Sequence, residues 1–277
     1  MLSSFGERLL GAFESRGQLC VGIDPHASLL NAWDLTDSAH GLREFSLRVV
    51  DACAGQVSVI KPQVSFFERF GAAGYTVLEE VTQAAKAADL LVIADAKRGD
   101  IGTTMDAYLE AWFGNLSGLH ADALTVSPYL GLGTISVGFE RYAATGKGIY
   151  SLVATSNPEG ASVQLATSNG TSLAADQWRQ LAVLNSPASE FGNFGAVLGA
   201  TLDLDSFAIN RSQLKTPILA PGFGAQGAKL SDAKAIYGSL SRQVAYSVSR
   251  SVLQAGPREL QSAISSSNSE LFSGLSQ

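Results

Sequence analysis

Short runs of apolar, β-branched residues alternate along the chain with longer stretches whose apolar residues recur every three or four positions. Eight runs are almost continuously apolar, as strands buried on both faces are; they cover residues 19–24, 57–66, 90–97, 123–128, 148–156, 196–201, 217–224 and 243–250. The stretches between them have helical spacing, for example at Leu42, Phe45 and Val49. The pattern therefore predicts eight strands that alternate with helices, after a first helix within residues 1–17.

Strands that alternate with helices form a parallel sheet, and right-handed crossovers close eight of them into a (β/α)8 TIM barrel. We expect this α/β barrel to be a single domain over residues 1–277, because no linker, charge block or internal repeat divides the chain. A doubly wound open sheet is the alternative.

Two segments depart from the regular pattern. Residues 159–177, directly after the fifth predicted strand, are polar and rich in Gly, Ser and Thr, which is typical of a lid over a site or of a surface insertion. The last helical pattern is followed by the polar residues 265–270, which predict a frayed end.

Composition narrows the class of protein. The 277 residues include 19 Lys and Arg against 25 Asp and Glu, a formal net charge of −6, which argues against a general binder of nucleic acid or of anionic membranes. Two cysteines, Cys20 and Cys53, cannot make a disulfide framework, and no apolar run approaches the roughly 18 residues of a membrane span. We therefore expect a cytoplasmic protein. The three histidines lack metal-ligand spacing, so no metal site is expected.

Charged residues concentrate where the predicted strands end, and (β/α)8 barrels hold their chemistry at the carboxyl ends of strands. The third strand runs into Asp95, Lys97 and Asp100, and the alternation of side chains points Asp95 and Lys97 the same way. Lys61 from the second strand can join them, and Asp24 ends the first strand. The two lysines together with Asp95 and Asp100 form a neutral, alternating network that tolerates partial burial.

Flanking carboxylates favour the charged ammonium form of a lysine, whereas a Schiff-base lysine must be neutral. Lys97 is therefore predicted to donate a proton and not to act as a nucleophile. A purely structural cluster of salt bridges at the barrel rim is the alternative.

The segment after the seventh predicted strand matches G-x-G-x-x-G at Gly222, Gly224 and Gly227. Dinucleotide-binding folds share this spacing, but here the next predicted strand ends in Arg250 and not in the acid that would hold a ribose. Barrels bind phosphate with the loops after strands seven and eight, where glycine lets backbone N–H groups approach the oxygens. The segment therefore predicts a phosphate site that Arg250 completes; ordinary turn glycines are the alternative.

Several motifs together resemble those of the orotidine 5′-phosphate decarboxylase family, most closely its second bacterial subfamily. They are VGIDPH, IKPQVSFFE, IADAKRGDIGTT, TSNPEG and PGFGAQG, followed by Arg250, and they keep their order over roughly residues 19–256. The resemblance implies the conversion of orotidine 5′-phosphate to UMP and CO₂, the last step of de novo pyrimidine synthesis, without a metal or organic cofactor.

The resemblance also implies catalytic roles. Lys97 would deliver a proton to C6 of the pyrimidine, and Asp95 would lie against the substrate carboxylate. Lys61 would complete the network and contact the ribose region. The protein would be a homodimer with composite sites, in which Asp100 reaches into the partner's site and Thr104 lies nearby at the interface.

The remaining matched residues would bind the substrate. Asp24 would bind the ribose and Ser156 would bind the pyrimidine, and the phosphate end would be lined by Gly222, Gly224, Gln226 and Arg250. The segment 159–177 is poorly matched, so the resemblance does not say whether its residues, Gln164 among them, touch the substrate.

Three other functions remain open at this point. A magnesium-dependent sugar-phosphate lyase or synthase of the same suprafamily would have an acidic metal ligand at the end of the second strand, where this chain has Lys61. A catalytically inactive nucleotide-binding barrel would not need the complete network. A dinucleotide oxidoreductase is the third alternative.

Overall fold

A closed barrel of eight parallel strands forms the centre of the computed structural model, which describes residues 3–276. The strands are β1 (Leu19–Ile23), β2 (Val59–Pro62), β3 (Leu91–Arg98), β4 (Ala123–Val126), β5 (Gly148–Ala154), β6 (Phe194–Leu198), β7 (Ile218–Ala220) and β8 (Val244–Val248). Each strand pairs with its neighbours in sequence, and β8 pairs with β1 to close the ring. The predicted (β/α)8 TIM barrel is confirmed, and the open-sheet alternative is wrong.

Helices fill the connections and cover the outside of the barrel. They are α1 (Phe5–Arg16), α2 (Ala27–Ala32), α3 (Ala39–Cys53), α4 (Val64–Glu68), α5 (Gly71–Ala87), α6 (Gly102–Phe113), α7 (Gly133–Ala143), α8 (Ala161–Gln164), α9 (Leu173–Leu184), α10 (Ala233–Tyr237), α11 (Arg250–Leu253) and α12 (Gly256–Leu275). Because all eight strands run the same way, their carboxyl ends open on one face, where the predicted chemistry lies.

The first helix closes the opposite, amino-terminal end of the barrel. Residues 1 and 2 of the predicted helix lie outside the described part, and α1 begins after a capping box between Ser4 and Glu7. The buried side chains of Phe5, Leu9 and Phe13 pack with residues from the starts of the strands into one cluster. This helix therefore seals the barrel floor away from the site.

The carboxyl-terminal helix is longer than its sequence predicts. The polar residues 265–270 do not fray, because α12 continues through them to Leu275. Ile264 and Leu271 are buried, and Gly274 approaches the Leu230 carbonyl so closely that a Cβ would lie 2.4 Å from its oxygen. The small serines occupy the more exposed positions while these apolar contacts continue, so the prediction of a frayed end is wrong.

The polar segment after β5 has its own short elements. A 3₁₀ turn at Pro158–Gly160 leads into α8, and a two-stranded hairpin pairs Thr167–Ser168 with Thr171–Ser172 before α9 begins. Residues 159–177 therefore form an ordered insertion with its own short helix and hairpin, next to the carboxyl-terminal face of the barrel.

Candidate active site

A cavity of about 540 Å³ opens at the carboxyl-terminal face of the barrel. Its walls come from β1, β2, β3, β5, β6, β7 and β8 and from the loops at their carboxyl ends. Most of the predicted site residues line it, namely Asp24, Lys61, Asp95, Lys97, Ser156, Gly222, Gln226 and Arg250. Residues that are distant in sequence thus converge in this cavity as predicted.

Asp95 lies at the centre of the charged residues. Its Oδ1 accepts hydrogen bonds from Lys97 Nζ at 2.6 Å and from Thr125 Oγ1 at 3.0 Å, and its Oδ2 accepts one from Lys61 Nζ at 3.0 Å. Lys61 Nζ also lies 4.0 Å from Asp24 Oδ1. The result is a row of alternating charge, Asp24–Lys61–Asp95–Lys97, which we call the lysine–aspartate network.

Burial and charge oppose each other in this network. Burial alone would lower the pKa of Lys61, but the carboxylates of Asp95 and Asp24 outweigh it and raise that pKa above its ordinary value. Burial alone would raise the pKa of Asp95, but Lys61 and Lys97 hold it well below its ordinary value. Lys61 and Asp95 are therefore both charged at neutral pH. The Lys97 side chain is about half exposed (46%), so it faces the cavity.

The end of β3 is distorted, and this distortion brings Asp95 and Lys97 together. The register of β3 against β4 shifts between Ala94 and Arg98, and Lys97 has a φ of +51°, in the left-handed region that non-glycine residues rarely adopt. The Lys97 N–H donates to Thr125 Oγ1 at 2.9 Å. Such conformations persist where the surroundings hold them and concentrate at functional sites. The alternation of side chains along β3 therefore does not by itself explain why Asp95 and Lys97 lie together.

Two polar atoms at the cavity lack a hydrogen-bond partner. Asp24 Oδ1 and Ser249 Oγ are buried, and no side chain or backbone group among residues 3–276 makes a hydrogen bond with either. Both residues line the cavity. Because buried polar groups are normally satisfied, a ligand with hydroxyl groups is the natural partner for this corner.

The glycine loop after β7 folds back on itself. The Gly224 N–H donates to the Ala228 carbonyl at 2.8 Å, and the Ala228 N–H donates to the Gly222 carbonyl at 3.2 Å. Gly224 does not line the cavity; a Cβ there would lie 2.5 Å from Ser251 Cβ. The structure thus gives Gly224 a turn with φ +74° and a close approach to α11, while Gly222 and Gln226 reach the cavity wall.

Arg250 lies beyond the strand that was expected to carry it. The eighth strand ends at Val248, and Arg250 is the first residue of α11, after Ser249 breaks the extended backbone. The side chain still lines the cavity, and no carboxylate of the described chain forms an ion pair with it. Its guanidinium is therefore available for an anion.

Asp100 and Thr104 do not reach this cavity within one chain. The Asp100 carboxylate accepts the neighbouring Ile101 N–H at 2.8 Å, and Thr104 is exposed on α6. The expectation that Asp100 flanks Lys97 is therefore not met inside a single chain, where Asp24 provides the second carboxylate of the network.

Sequence reasoning missed several residues of the site. Thr125 makes hydrogen bonds with both Asp95 and Lys97. It is the one polar residue in the apolar sequence of β4, and this interruption could have identified it as a site residue. Gln63 accepts a hydrogen bond from Lys61 Nζ at 3.4 Å and follows it by two positions. The His26 and Phe66 rings, 4.3 Å apart between centroids, both line the cavity.

Two other kinds of feature, a cluster of metal ligands and a membrane-spanning helix, are absent from the described part of the chain. Within residues 3–276, no three His, Cys, Asp or Glu side chains converge closely enough to hold a metal ion. None of the helices α1–α12 combines the length and the apolar character of a membrane span.

Comparison with known proteins agrees with the geometry. The model of the orotidine 5′-phosphate decarboxylase / HUMPS family matches residues 17–263. Orotidine 5′-phosphate decarboxylase of Streptomyces coelicolor is 49% identical over 258 residues, and that of Corynebacterium glutamicum is 46% identical over 258 residues; each alignment covers 92% of this chain and 92% of the relative.

Solved structures agree with these relatives. A crystal structure of a Streptomyces avermitilis protein assigned as an orotidine 5′-phosphate decarboxylase superposes with a TM-score of 0.94 at 47% identity, covering 100% of this chain and 97% of that one. The OMP decarboxylase of Leishmania donovani superposes with a TM-score of 0.73 at 28% identity, covering 98% and 99%.

Proposed function

The chain belongs to the orotidine 5′-phosphate decarboxylase / HUMPS family, and on that premise we propose that the lysine–aspartate network is its catalytic centre. The activity is the decarboxylation of orotidine 5′-phosphate to UMP and CO₂, the last step of UMP biosynthesis. The observation that carries the proposal is the convergence of Lys61 and Lys97 on one buried carboxylate, Asp95, at the carboxyl-terminal face.

The network supplies what decarboxylation at C6 requires. The bond from C6 to the carboxylate breaks, CO₂ leaves, and the electron pair remains on C6 as a carbanion. The Lys97 ammonium stabilises that developing charge and then transfers its proton to C6. Asp95 orients Lys97 through a 2.6 Å hydrogen bond and places a negative charge near the departing carboxylate.

The rest of the cavity accommodates the nucleotide. Asp24 and Ser249 present unpartnered buried oxygens to the ribose hydroxyls, and Ser156 lies past β5, where it contacts the pyrimidine. Arg250 binds the phosphate dianion beside Gly222 and Gln226. Remote binding of the phosphate provides energy that organises the site around the reacting bond.

A magnesium-dependent sugar-phosphate reaction is disfavoured by Lys61. The position where that reaction needs an acidic ligand holds an ammonium 3.0 Å from Asp95, which would repel a divalent cation. The test is a spectrophotometric assay on orotidine 5′-phosphate with EDTA present. We expect the rate to be unaffected by EDTA; activity that EDTA abolishes, or that appears only with a sugar phosphate, would reverse the assignment.

The segment 159–177 is proposed to act as a lid beside the pyrimidine. Gln164 accepts the Thr155 N–H at 3.0 Å and donates to Thr155 Oγ1 at 2.7 Å, which ties α8 to the residue preceding Ser156. If the segment closes over substrate, Gln164→Ala will raise the KM for orotidine 5′-phosphate. An unchanged KM and kcat would support a surface insertion instead.

A homodimer with composite sites is also proposed. Asp100 and Thr104 lie outside their own cavity, next to the largely exposed Ile101 (59%), and Val137 (75%) lines a groove with Gly102 between α6 and α7. Apolar side chains exposed in this way favour a protein partner. A second copy docked there can deliver Asp100 to the partner's site.

Mixing two inactive variants tests the composite site. If Asp100 acts in the partner's site, a heterodimer of Lys97→Ala and Asp100→Ala subunits has one doubly altered site and one intact site. Random pairing then restores up to about a quarter of wild-type activity per total subunit. No recovery in a mixture whose subunits have demonstrably exchanged would place Asp100 in its own subunit's site.

The proposed location is the cytoplasm. Its support is chemical: Cys20 and Cys53 are both buried as free thiols, a cysteine usage that suits a reducing compartment. Fractionation of cells with an antibody to the chain tests it directly.

A further inference from the structure

A second polar cavity lies at the amino-terminal end of the barrel, on the face opposite the active site. It measures about 90 Å³ and is bounded by the starts of β3, β4 and β5 and by helices α1 and α5. The charged and imidazole side chains that line it are those of Arg8, Lys86, Asp89, His120, Asp122 and Lys147. We call it the basic cavity.

Positive charge exceeds negative charge around the basic cavity. Of its two carboxylates, Asp122 pairs with Arg8 at 2.5 Å, and Asp89 pairs with Arg16 at 2.8 Å. Lys86 and Lys147 form no ion pair with any carboxylate of residues 3–276. Arg8 and Arg16 thus neutralise the two carboxylates, although Arg16 does not itself line the cavity. The ammonium groups of the two lysines remain without an ion-pair partner.

Hydrogen-bond donors in the cavity are also left over. Lys147 Nζ makes one hydrogen bond, to the Ala121 carbonyl at 2.7 Å, although an ammonium has three donors. Burial lowers the pKa of Lys147, and the charges of Arg8 and Lys86 act in the same direction against Asp122. The chain thus places a half-buried lysine near two further cations, an arrangement that costs free energy unless an anion compensates it.

The backbone at this cavity is strained. His120 has a φ of +36°, an uncommon value for a residue other than glycine. Strained residues concentrate at binding sites because the surrounding structure holds them in place for a purpose. The imidazole lines the same cavity as the unpaired lysines, so the strain and the uncompensated charge coincide.

We propose that the basic cavity binds a small divalent oxyanion of the inorganic phosphate or sulfate class. The two ammonium groups without an ion-pair partner match the charge of such an ion, and their unused N–H donors suit its oxygens. A volume of about 90 Å³ is far below the 540 Å³ of the nucleotide cavity, so a nucleotide does not fit. The bound ion would link α1, α5 and the starts of β4 and β5.

Such a ligand acts on stability and not on turnover. The amino-terminal face of a (β/α)8 barrel is the face devoted to stability, and the active site opens on the other side. An ion that binds only the folded chain raises the melting temperature with its concentration until the site saturates.

Thermal unfolding in inorganic phosphate, at constant ionic strength set with sodium chloride, tests the proposal. The measurements use Arg250→Ala protein, so that phosphate binding at the active site is weakened and is the same in every variant compared. In this background we expect a saturable rise in Tm with phosphate. Adding Lys86→Gln should weaken the apparent Kd about tenfold, since a hydrogen bond to a charged group contributes roughly that factor. The matched control, Lys234→Gln, removes an exposed charge from α10 and should leave the Kd unchanged.

Isothermal titration of the same proteins with phosphate gives the second readout. Lys86 is exposed and forms no ion pair in the described chain, so its replacement does not threaten folding. A rise in Tm that never saturates and is equal in all variants would reflect only the general stabilising action of phosphate on proteins and would overturn the proposal. Equal affinities of the Lys86→Gln and Lys234→Gln proteins would overturn it as well.

Discussion

Replacing Thr125 by valine removes one hydroxyl and leaves the shape of the side chain unchanged. Thr125 is fully buried on β4 and does not line the nucleotide cavity. Its hydroxyl donates to Asp95 Oδ1 at 3.0 Å and accepts the Lys97 N–H at 2.9 Å. The substitution therefore leaves the Lys97 side chain itself intact and removes only the hydroxyl that positions Lys97 and Asp95.

The size of the effect follows from those two hydrogen bonds. A bond to a charged group contributes about 1.5–3 kcal/mol, and the part-buried Lys97 N–H, left without its partner, costs at most about 1–3 kcal/mol. The added methyl group recovers about 0.8 kcal/mol by burial. We expect the free energy of unfolding to fall by about 2–5 kcal/mol. Without its anchor, Lys97 can leave its left-handed conformation, and a displacement of about 1 Å lowers kcat about 10²-fold.

Steady-state kinetics on orotidine 5′-phosphate and urea unfolding measure the two quantities. We expect KM to stay within a few-fold of wild type, because Thr125 does not contact the nucleotide. Thr125→Ser, which keeps the hydroxyl, should retain most of kcat. Ser151→Ala is the matched control, since it removes a buried hydroxyl without a partner from the neighbouring strand. A folded Thr125→Val protein with kcat within twofold of wild type would refute the anchoring role.

Two further predictions concern the phosphate and the buried charges. Arg250→Ala should raise the KM for orotidine 5′-phosphate at least about tenfold but leave kcat/KM for orotidine, which lacks the phosphate, nearly unchanged; equal losses on both substrates would contradict phosphate binding by Arg250. The lowered pKa of Asp95 contributes stability that is present above its unfolded pKa of 3.8 and is lost as pH falls through the folded pKa. The free energy of unfolding should therefore fall more steeply below about pH 4 in wild type than in Asp95→Asn, and equal slopes in urea titrations would contradict the burial of a charged Asp95.

The barrel and the location of the active site could both be predicted from the apolar runs and from where those runs end. Strands buried on both faces read as apolar runs, and the carboxyl ends of parallel strands meet at one face. Polar residues that interrupt or end those runs, such as Asp24, Lys61 and Asp95, therefore had to converge. All three line the cavity.

Other features depend on contacts that a periodic pattern does not contain. The shift in register at Lys97 is held by a hydrogen bond from a different strand, to Thr125, so alternation along β3 could not reveal it. Arg250 continues an apolar run in sequence, but the chain turns at Ser249 and the residue begins a helix. Asp100 cannot be placed by one chain, because its proposed partner atoms belong to a second copy.

The polar residues 265–270 show that composition alone does not predict where a helix ends. Residues 265–270 are rich in serine, and on their own they would fray. Leu271 and Gly274 beyond them pack onto the barrel, and Asn268 Nδ2 donates to the Gln56 carbonyl at 2.7 Å. Tertiary contacts within this stretch and beyond it therefore keep it helical.

The most direct test of the catalytic centre is the turnover of Lys97→Ala on orotidine 5′-phosphate, measured together with the Kd for UMP. Losing both carbanion stabilisation and proton delivery should lower kcat at least several hundred-fold, since general acid catalysis alone contributes about 10²–10⁴. The Kd should change little, because Arg250 and the glycine loop still bind the phosphate. A variant that binds UMP normally and keeps half of wild-type turnover would contradict the assignment of Lys97 as the proton donor.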